Sequence, residues 1–139
     1  MVGGLAWWLI SPLWNTIQLQ EEIPTAVIST SSTPTNQPKI ARRANLIAQA
    51  HEVAGETLIV ETDSERLLRF ENLKTINGPD LRIYLSADLN AKDFVDLGPI
   101  RATAGNVNYT IPTGTDLQKY HYVLIWCRAF SVLFSYAQL

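Results

Sequence analysis

From His51 to Leu139 apolar and polar residues alternate in short runs, and turn-forming residues separate the runs at the spacing of an all-β sandwich or barrel. Gly55 opens the run GETLIVE, in which Leu58 and Val60 share one strand face while Thr57, Ile59 and Glu61 share the other. A turn at Asp63 and Ser64 leads to LLRFENL. Asn77-Gly78-Pro79-Asp80 is a strong turn signal before LRIYLS, where Leu81, Ile83 and Leu85 point one way and Arg82, Tyr84 and Ser86 the other. Asp88 to Phe94 reads as a polar loop, Gly98-Pro99 and Gly105-Asn106 as turns, and Val107 to Ile111 as another strand. In the final run, SVLFSYAQL, Val132, Phe134 and Tyr136 fall together and Ser131, Leu133, Ser135 and Ala137 fall opposite. The chain ends on this strand, and the domain is read as complete there. No part of the region carries a helical period, so the expectation is a two-sheet antiparallel β-sandwich with Val123, Ile125 and Phe134 buried.

The strand Tyr122 to Cys127, YVLIWC, has no strongly polar residue, which predicts a central strand with apolar surroundings on both faces. Its second face calls for a cover: a loop, the N-terminal segment or a partner. Upstream of the sandwich the pattern changes. Val2 to Trp14 is apolar apart from Ser11 and carries Trp7, Trp8 and Trp14, with no charge before Glu21. A bilayer-spanning helix needs roughly 20 apolar residues, and this run is shorter and contains Pro12. Residues 1–22 are therefore read as a truncated anchor helix whose beginning lies upstream of Met1, with an interfacial anchor on the tryptophans or a buried helix as the other readings. Residues 23–44 include IPTAVISTSSTPTNQP and read as a Ser/Thr/Pro-rich linker. Lys39 to Arg43 reads as a solvated basic stretch, and Asn45 to Ala50 as a short helix leading into the domain at 45–139.

Composition narrows the function classes. With a net charge of −2, the chain has no basic stripe to neutralise phosphates, which argues against nucleic acid as a partner. Cys127 is the only cysteine, so an intrachain disulfide, a CxxC metal site, an Fe–S cluster and a CxxCH haem attachment are all excluded by count. Asp88-Leu89-Asn90-Ala91-Lys92-Asp93 begins like a calcium loop, but it lacks glycine at the sixth position and has Pro99 where a bidentate glutamate belongs. No Ser/His/Asp order, phosphate-binding glycine loop or paired-carboxylate pattern stands out. Asn108-Tyr109-Thr110 spells a glycosylation sequon inside an expected strand, where accident accounts for it.

Four blocks carry a resemblance: HEVAGETLIV, GPDLRIYLS, DLGPIRATAGNVNYTIP and YHYVLIWCRAFSVLFSYAQL. In this order and spacing they resemble the electron-transfer DM-thirteen domain, which also occurs in Knickkopf-type cuticle proteins and in membrane-anchored bacterial or archaeal members. The resemblance covers about His51 to Leu139 and includes Gly55, Gly78-Pro79-Asp80, Gly98, Gly105, Tyr109 and Pro112. It implies a β-sandwich-like fold and a redox-active cysteine in the last-but-one strand, the place that Cys127 occupies.

Read on its residues alone, a cysteine in an apolar strand is a small buried hydrophobe, and nothing next to it in sequence activates it. Arg128 points to the opposite face unless a bulge intervenes, and His121 lies roughly 20 Å away along the strand. A redox role for Cys127 therefore requires a polar partner from elsewhere in the fold, with His51 and Tyr109 as the expected donors and Trp126 as a neighbour. No metal site is expected, and the cofactor is left open. Two readings follow. In one, a membrane-tethered extracytoplasmic domain transfers electrons through Cys127 to an unidentified redox or surface protein, with the membrane engaged by residues 2–14. In the other, Cys127 is core and the domain is a non-catalytic binding or structural module at the cell surface.

Overall fold

The computed structural model describes residues 17–23 and 38–139, which form ten strands and no helix. The strands are β1 (Gln18–Gln20), β2 (Lys39–Asn45), β3 (Ile47–Ala48), β4 (Val53–Glu61), β5 (Arg66–Thr75), β6 (Leu81–Ser86), β7 (Phe94–Pro99), β8 (Ala104–Ile111), β9 (Tyr122–Cys127) and β10 (Val132–Gln138). They make two five-stranded sheets, ordered β1-β8-β5-β4-β2 and β3-β10-β9-β6-β7. Every pairing is antiparallel except β1 with β8, which is parallel.

The sandwich follows from the alternation. From the first sheet Ile59, Leu68, Phe70 and Val107 enter the common core; from the second come Leu81, Ile83, Leu85, Val123, Ile125 and Cys127. The β6–β9 register sets these side chains directly opposite one another: Leu81 with Cys127, Ile83 with Ile125, Leu85 with Val123. Burying such side chains contributes roughly 1.5–3 kcal/mol each, which is why register is specified strongly in these strands. Val123, Ile125 and Phe134 are buried as the pattern implied. On the outer face of the first sheet Leu58, Val60 and Leu67 form a smaller cluster, with Ile23 packed against it.

The second face of β9 carries Tyr122, Leu124 and Trp126. Leu124 is fully buried and has Tyr84 and Tyr136 directly opposite on the flanking strands. Side chains of the same sheet thus flank the position for which an external cover was expected. The parity of β10 changes midway. A register shift between Leu133 and Ser135 makes Phe134 the extra residue, so Phe134, Ser135 and Ala137 are all buried and Tyr136 points away from the core. The simple alternation, which grouped Phe134 with Tyr136, cannot anticipate a bulge.

Gly98-Pro99 and Gly105-Asn106, expected as turns, lie within β7 and β8, and three segments earlier in the chain also differ from their expected state. Asn45 to Ala50 contains β3, not a helix: Ile47 and Ala48 pair with Tyr136 and Ser135 on the edge of the second sheet. Lys39 to Asn45, read within the linker up to residue 44, is β2, whose pairing with β4 supplies the hydrogen bonds of an edge strand, while Arg42 donates to the Leu117 carbonyl at 3.0 Å and Arg43 pairs with Glu56 at 3.2 Å. Gln18 to Gln20, read within the apolar N-terminal segment, is β1 on the edge formed by β8. There the buried Arg69 donates to the Glu21 carbonyl at 2.8 Å and to Asn108 Oδ1 at 3.0 Å, and Arg101 pairs with Glu21 at 2.7 Å. Gly105 (φ 101°) allows the close approach of β1, since a Cβ on it would run into the Leu19 carbonyl. The anchor helix expected over residues 2–14 lies outside the described residues; among those described, no helix is long and apolar enough to cross a membrane.

Candidate functional site

Cys127 closes β9 with its side chain on the core face and is 1% exposed. Its Sγ donates to the carbonyl of Pro79 at 3.1 Å. That carbonyl is available because the Asn77–Asp80 turn enters β6 beside the end of β9, and Leu81 sits opposite Cys127 in the ladder. Asn77 Oδ1 accepts the Gly78 N–H at 2.9 Å and stabilises the turn. Gly78 lies against the Phe134 ring, where an added Cβ would come within 2.9 Å of Cζ, so only glycine lets the ring pack there without displacement.

The thiol forms part of the wall of a largely apolar cleft of about 320 Å³, shared with His51, Asn77, Pro79, Phe130 and Phe134. His51 arrives from the loop after β3 and stands over Phe134, ring centroids 4.2 Å apart and tilted by 55°. Phe130 is 70% exposed, so one wall of the cleft is a side chain held by few neighbours. His51 and Cys127, expected as hydrogen-bonding partners, line the same cleft. No hydrogen bond joins them among the described residues; the thiol's hydrogen goes to a backbone carbonyl. Chemically, this is a protonated sulfur at the base of an apolar opening, with an imidazole on the wall as the one titratable side chain besides the thiol.

The family model for electron transfer DM13 matches residues 45–139, more than half of the chain. The chain belongs to the electron transfer DM13 family. Comparison with curated proteins gave no match, and neither did comparison with solved structures.

Within the DM13 domain the other expected neighbours of Cys127 are placed apart from the cleft. Tyr109 is on β8 in the opposite sheet, buried edge-on to Phe70 with centroids 5.7 Å apart. Its hydroxyl accepts the Arg101 N–H at 2.8 Å. Burial pushes the phenol up to about 12, only partly opposed by that hydrogen bond and the Arg101 charge. Tyr109 thus holds the loop ahead of β8 and does not line the thiol's cleft. Trp126 points to the other face of β9, near Tyr84, with centroids 6.4 Å apart. Arg128 is bound to Asp80 at 2.7 Å, and His121 donates from Nδ1 to the Lys119 carbonyl, 3.1 Å away.

The motifs set aside in the sequence are occupied locally. Asp88 accepts backbone N–H groups from Asn90, Lys92 and Asp93; burial alone would raise its pKa, but these bonds outweigh it and hold the carboxyl below its usual range. The loop's acid is therefore spent on its own backbone. Asn108, the sequon residue, donates to the Glu22 carbonyl and accepts from Arg69. Among the described residues no cluster of His, Cys, Asp and Glu is arranged to hold a metal ion. Sequence reasoning missed Pro79, whose part is played by a backbone carbonyl, and it missed Phe130 and Phe134 as walls.

Proposed function

We propose that this DM13 domain is a redox module held by its N-terminal segment at a membrane, on the extracytoplasmic side, and that Cys127 is the group that changes oxidation state. The observation that carries the reading is the placement of the single thiol at an apolar cleft beside His51, with the exposed Phe130 as the wall that must move for a partner to reach it. With one cysteine, two-electron chemistry runs through a second molecule. Attack of the Cys127 sulfur on a partner disulfide forms a mixed disulfide and expels the partner's other sulfur as a thiolate. The Cys127 proton passes to His51 or to water; a thiol of a separate donor then attacks the Cys127 sulfur and releases the partner as a dithiol, and a second donor thiol frees Cys127 and leaves the donor as a disulfide, so two electrons pass from donor to partner. The apolar wall limits access by water and small oxidants, which restricts the exchange to a partner that fits the cleft.

The alternative, a non-catalytic surface module with Cys127 as core, is favoured by one observation: the sulfur is 1% exposed and its hydrogen is engaged by Pro79. Thiol reactivity separates the two. With the folded chain and an aromatic disulfide reagent, Cys127 is expected to react slowly in native buffer and faster in Phe130→Ala, and Cys127→Ser is expected not to react. A thiol that reacts only after denaturation, in both the parent chain and Phe130→Ala, would leave Cys127 as a core residue.

A further inference from the structure

The chain enters the sandwich at one end, and that end is the apolar one. β1 runs parallel to β8 with Gln18 beside Ala104, so Ile17 stands where β8 begins and β5 finishes. The Ile17 carbonyl accepts the Thr103 N–H at 2.7 Å, and the Thr103 carbonyl accepts the N–H of Thr75, one residue before Ile76, at 3.0 Å. The turn that follows leads to Leu81, opposite Cys127, so the same end holds the thiol's cleft, whose lining includes Ile76, Phe130 and Val132. Among the described residues seven large apolar side chains are exposed, and four of them, Ile17, Ile76, Phe130 and Val132, gather at this end. The opposite end carries the exposed acidic turn of Asp63 and Glu65 and the polar loop 88–93 instead. Charge does not oppose apolar contact at the first end. Glu52 and Lys74 offset one another there, and Arg128 and Arg101 are each paired with an acid, Asp80 and Glu21.

The place of β1 also limits how far the domain can stand from whatever holds residues 2–14. The Ser/Thr/Pro-rich residues 24–37 follow β1, and β1 and β2 belong to the same sheet, so that stretch cannot act as a spacer between the N-terminal segment and the domain. Only Asn15 and Thr16 separate Trp14 from Ile17. Three residue steps reach about 10 Å when fully extended, little more than the headgroup layer on one side of a bilayer, roughly 5–7 Å.

We infer, on the reading that residues 2–14 are the membrane tether, that this end of the sandwich rests on a phospholipid bilayer. Ile17, Ile76, Phe130 and Val132 are set into the headgroup layer, and the cleft of Cys127 faces the lipid. Gathered apolar side chains of this kind mark a surface that meets a membrane or another protein, and the short connection to Trp14 selects the membrane. With every charge at this end offset, the contact is apolar and needs no anionic lipid. The docking stands whether or not the thiol is redox-active.

The test is nuclear magnetic resonance of the full-length chain in phosphatidylcholine nanodiscs that carry a nitroxide on a fraction of the headgroups. The amides of Ile17, Ile76, Phe130 and Val132 are expected to broaden several-fold more than those of Asp63 and Glu65. Ile76→Ser combined with Phe130→Ser, both at exposed positions, is expected to leave the chain folded and on the disc, and to narrow that difference about twofold or more. A chain that elutes apart from the discs overturns the tether and the docking together. A chain that stays on the discs with both ends broadened alike, or with Asp63 and Glu65 broadened more, keeps the tether and overturns the docking: residues 1–16, a second copy or water then covers the apolar end. A difference unchanged by the double substitution overturns it as well.

Discussion

Ser135 carries a fully buried hydroxyl without a hydrogen-bond partner among the described residues, a consequence of the β10 bulge that turns it toward the core. An unpaired buried hydroxyl costs about 1–3 kcal/mol, so Ser135→Ala is expected to stabilise the domain by ~1 kcal/mol in urea denaturation. Cys127→Ser asks the converse question. The new hydroxyl inherits the Pro79 carbonyl as acceptor, so the loss should be ~1 kcal/mol, at the low end of what a buried polar substitution costs. A loss above ~3 kcal/mol would show that the serine cannot reach that carbonyl. At this scale the sequence was partly legible. Cys127 and His51 do share a cleft, because both lie at the same end of the second sheet. Tyr109 does not join them: residue type says nothing of which sheet a strand enters, and β8 enters the other one. Pro79 was illegible in principle, since any residue in that turn would offer a carbonyl.

The strands read best were those that alternate cleanly, such as β6, or lie in fully apolar runs, such as β9; those read poorly draw their state from a distant partner. β1 has three residues and becomes a strand only because β8 offers an edge and Glu21 finds Arg101 eighty residues away. β2 hides behind its basic residues, which spell a solvated stretch although Arg42 finds the Leu117 carbonyl 75 residues away. This dependence makes the docking of β1 testable by itself. Gly105→Ala puts a methyl against the Leu19 carbonyl at a backbone angle that alanine rarely adopts. Amide exchange at Glu21, whose N–H donates to the Asn106 carbonyl, should then accelerate while amides of β9 keep their protection. Acid should loosen the same strand. Burial raises the Glu21 carboxyl, but the hydrogen bonds from Arg101 and the Asn108 N–H, with the Arg69 charge, outweigh it and hold the group below its ordinary 4.5. An acid depressed in the folded state contributes above its ordinary value and loses that contribution as pH falls through the folded one. Exchange at Glu21 should therefore rise as pH drops below about 4.5, beyond the intrinsic pH effect on exchange, and Glu21→Gln should remove that excess.

For the whole molecule, the common core draws its buried members from Leu46 onward, within the span of the family match. A chain lacking residues 1–38 should thus retain a cooperative thermal transition at a lower midpoint, with stability down by ~2 kcal/mol for the loss of β1 and its bonds to Arg69 and Arg101. A chain lacking only residues 1–16 keeps β1 and should melt like the parent; a non-cooperative transition in the longer deletion would show that β1 is indispensable. The same pairing of an early strand with a late one has a consequence during synthesis. Ile17 and Thr103 are bonded across 86 positions, and β3 waits in the same way for β10. At roughly 5–20 residues per second, translation leaves β1 without its partner for on the order of ten seconds. The β4–β5 hairpin can form in that interval, but neither sheet can be finished until the ribosome has delivered its late strands. The nascent chain therefore spends that time open to chaperones and proteases, and its folding rate is governed more by when the late strands emerge than by the strength of the early ones.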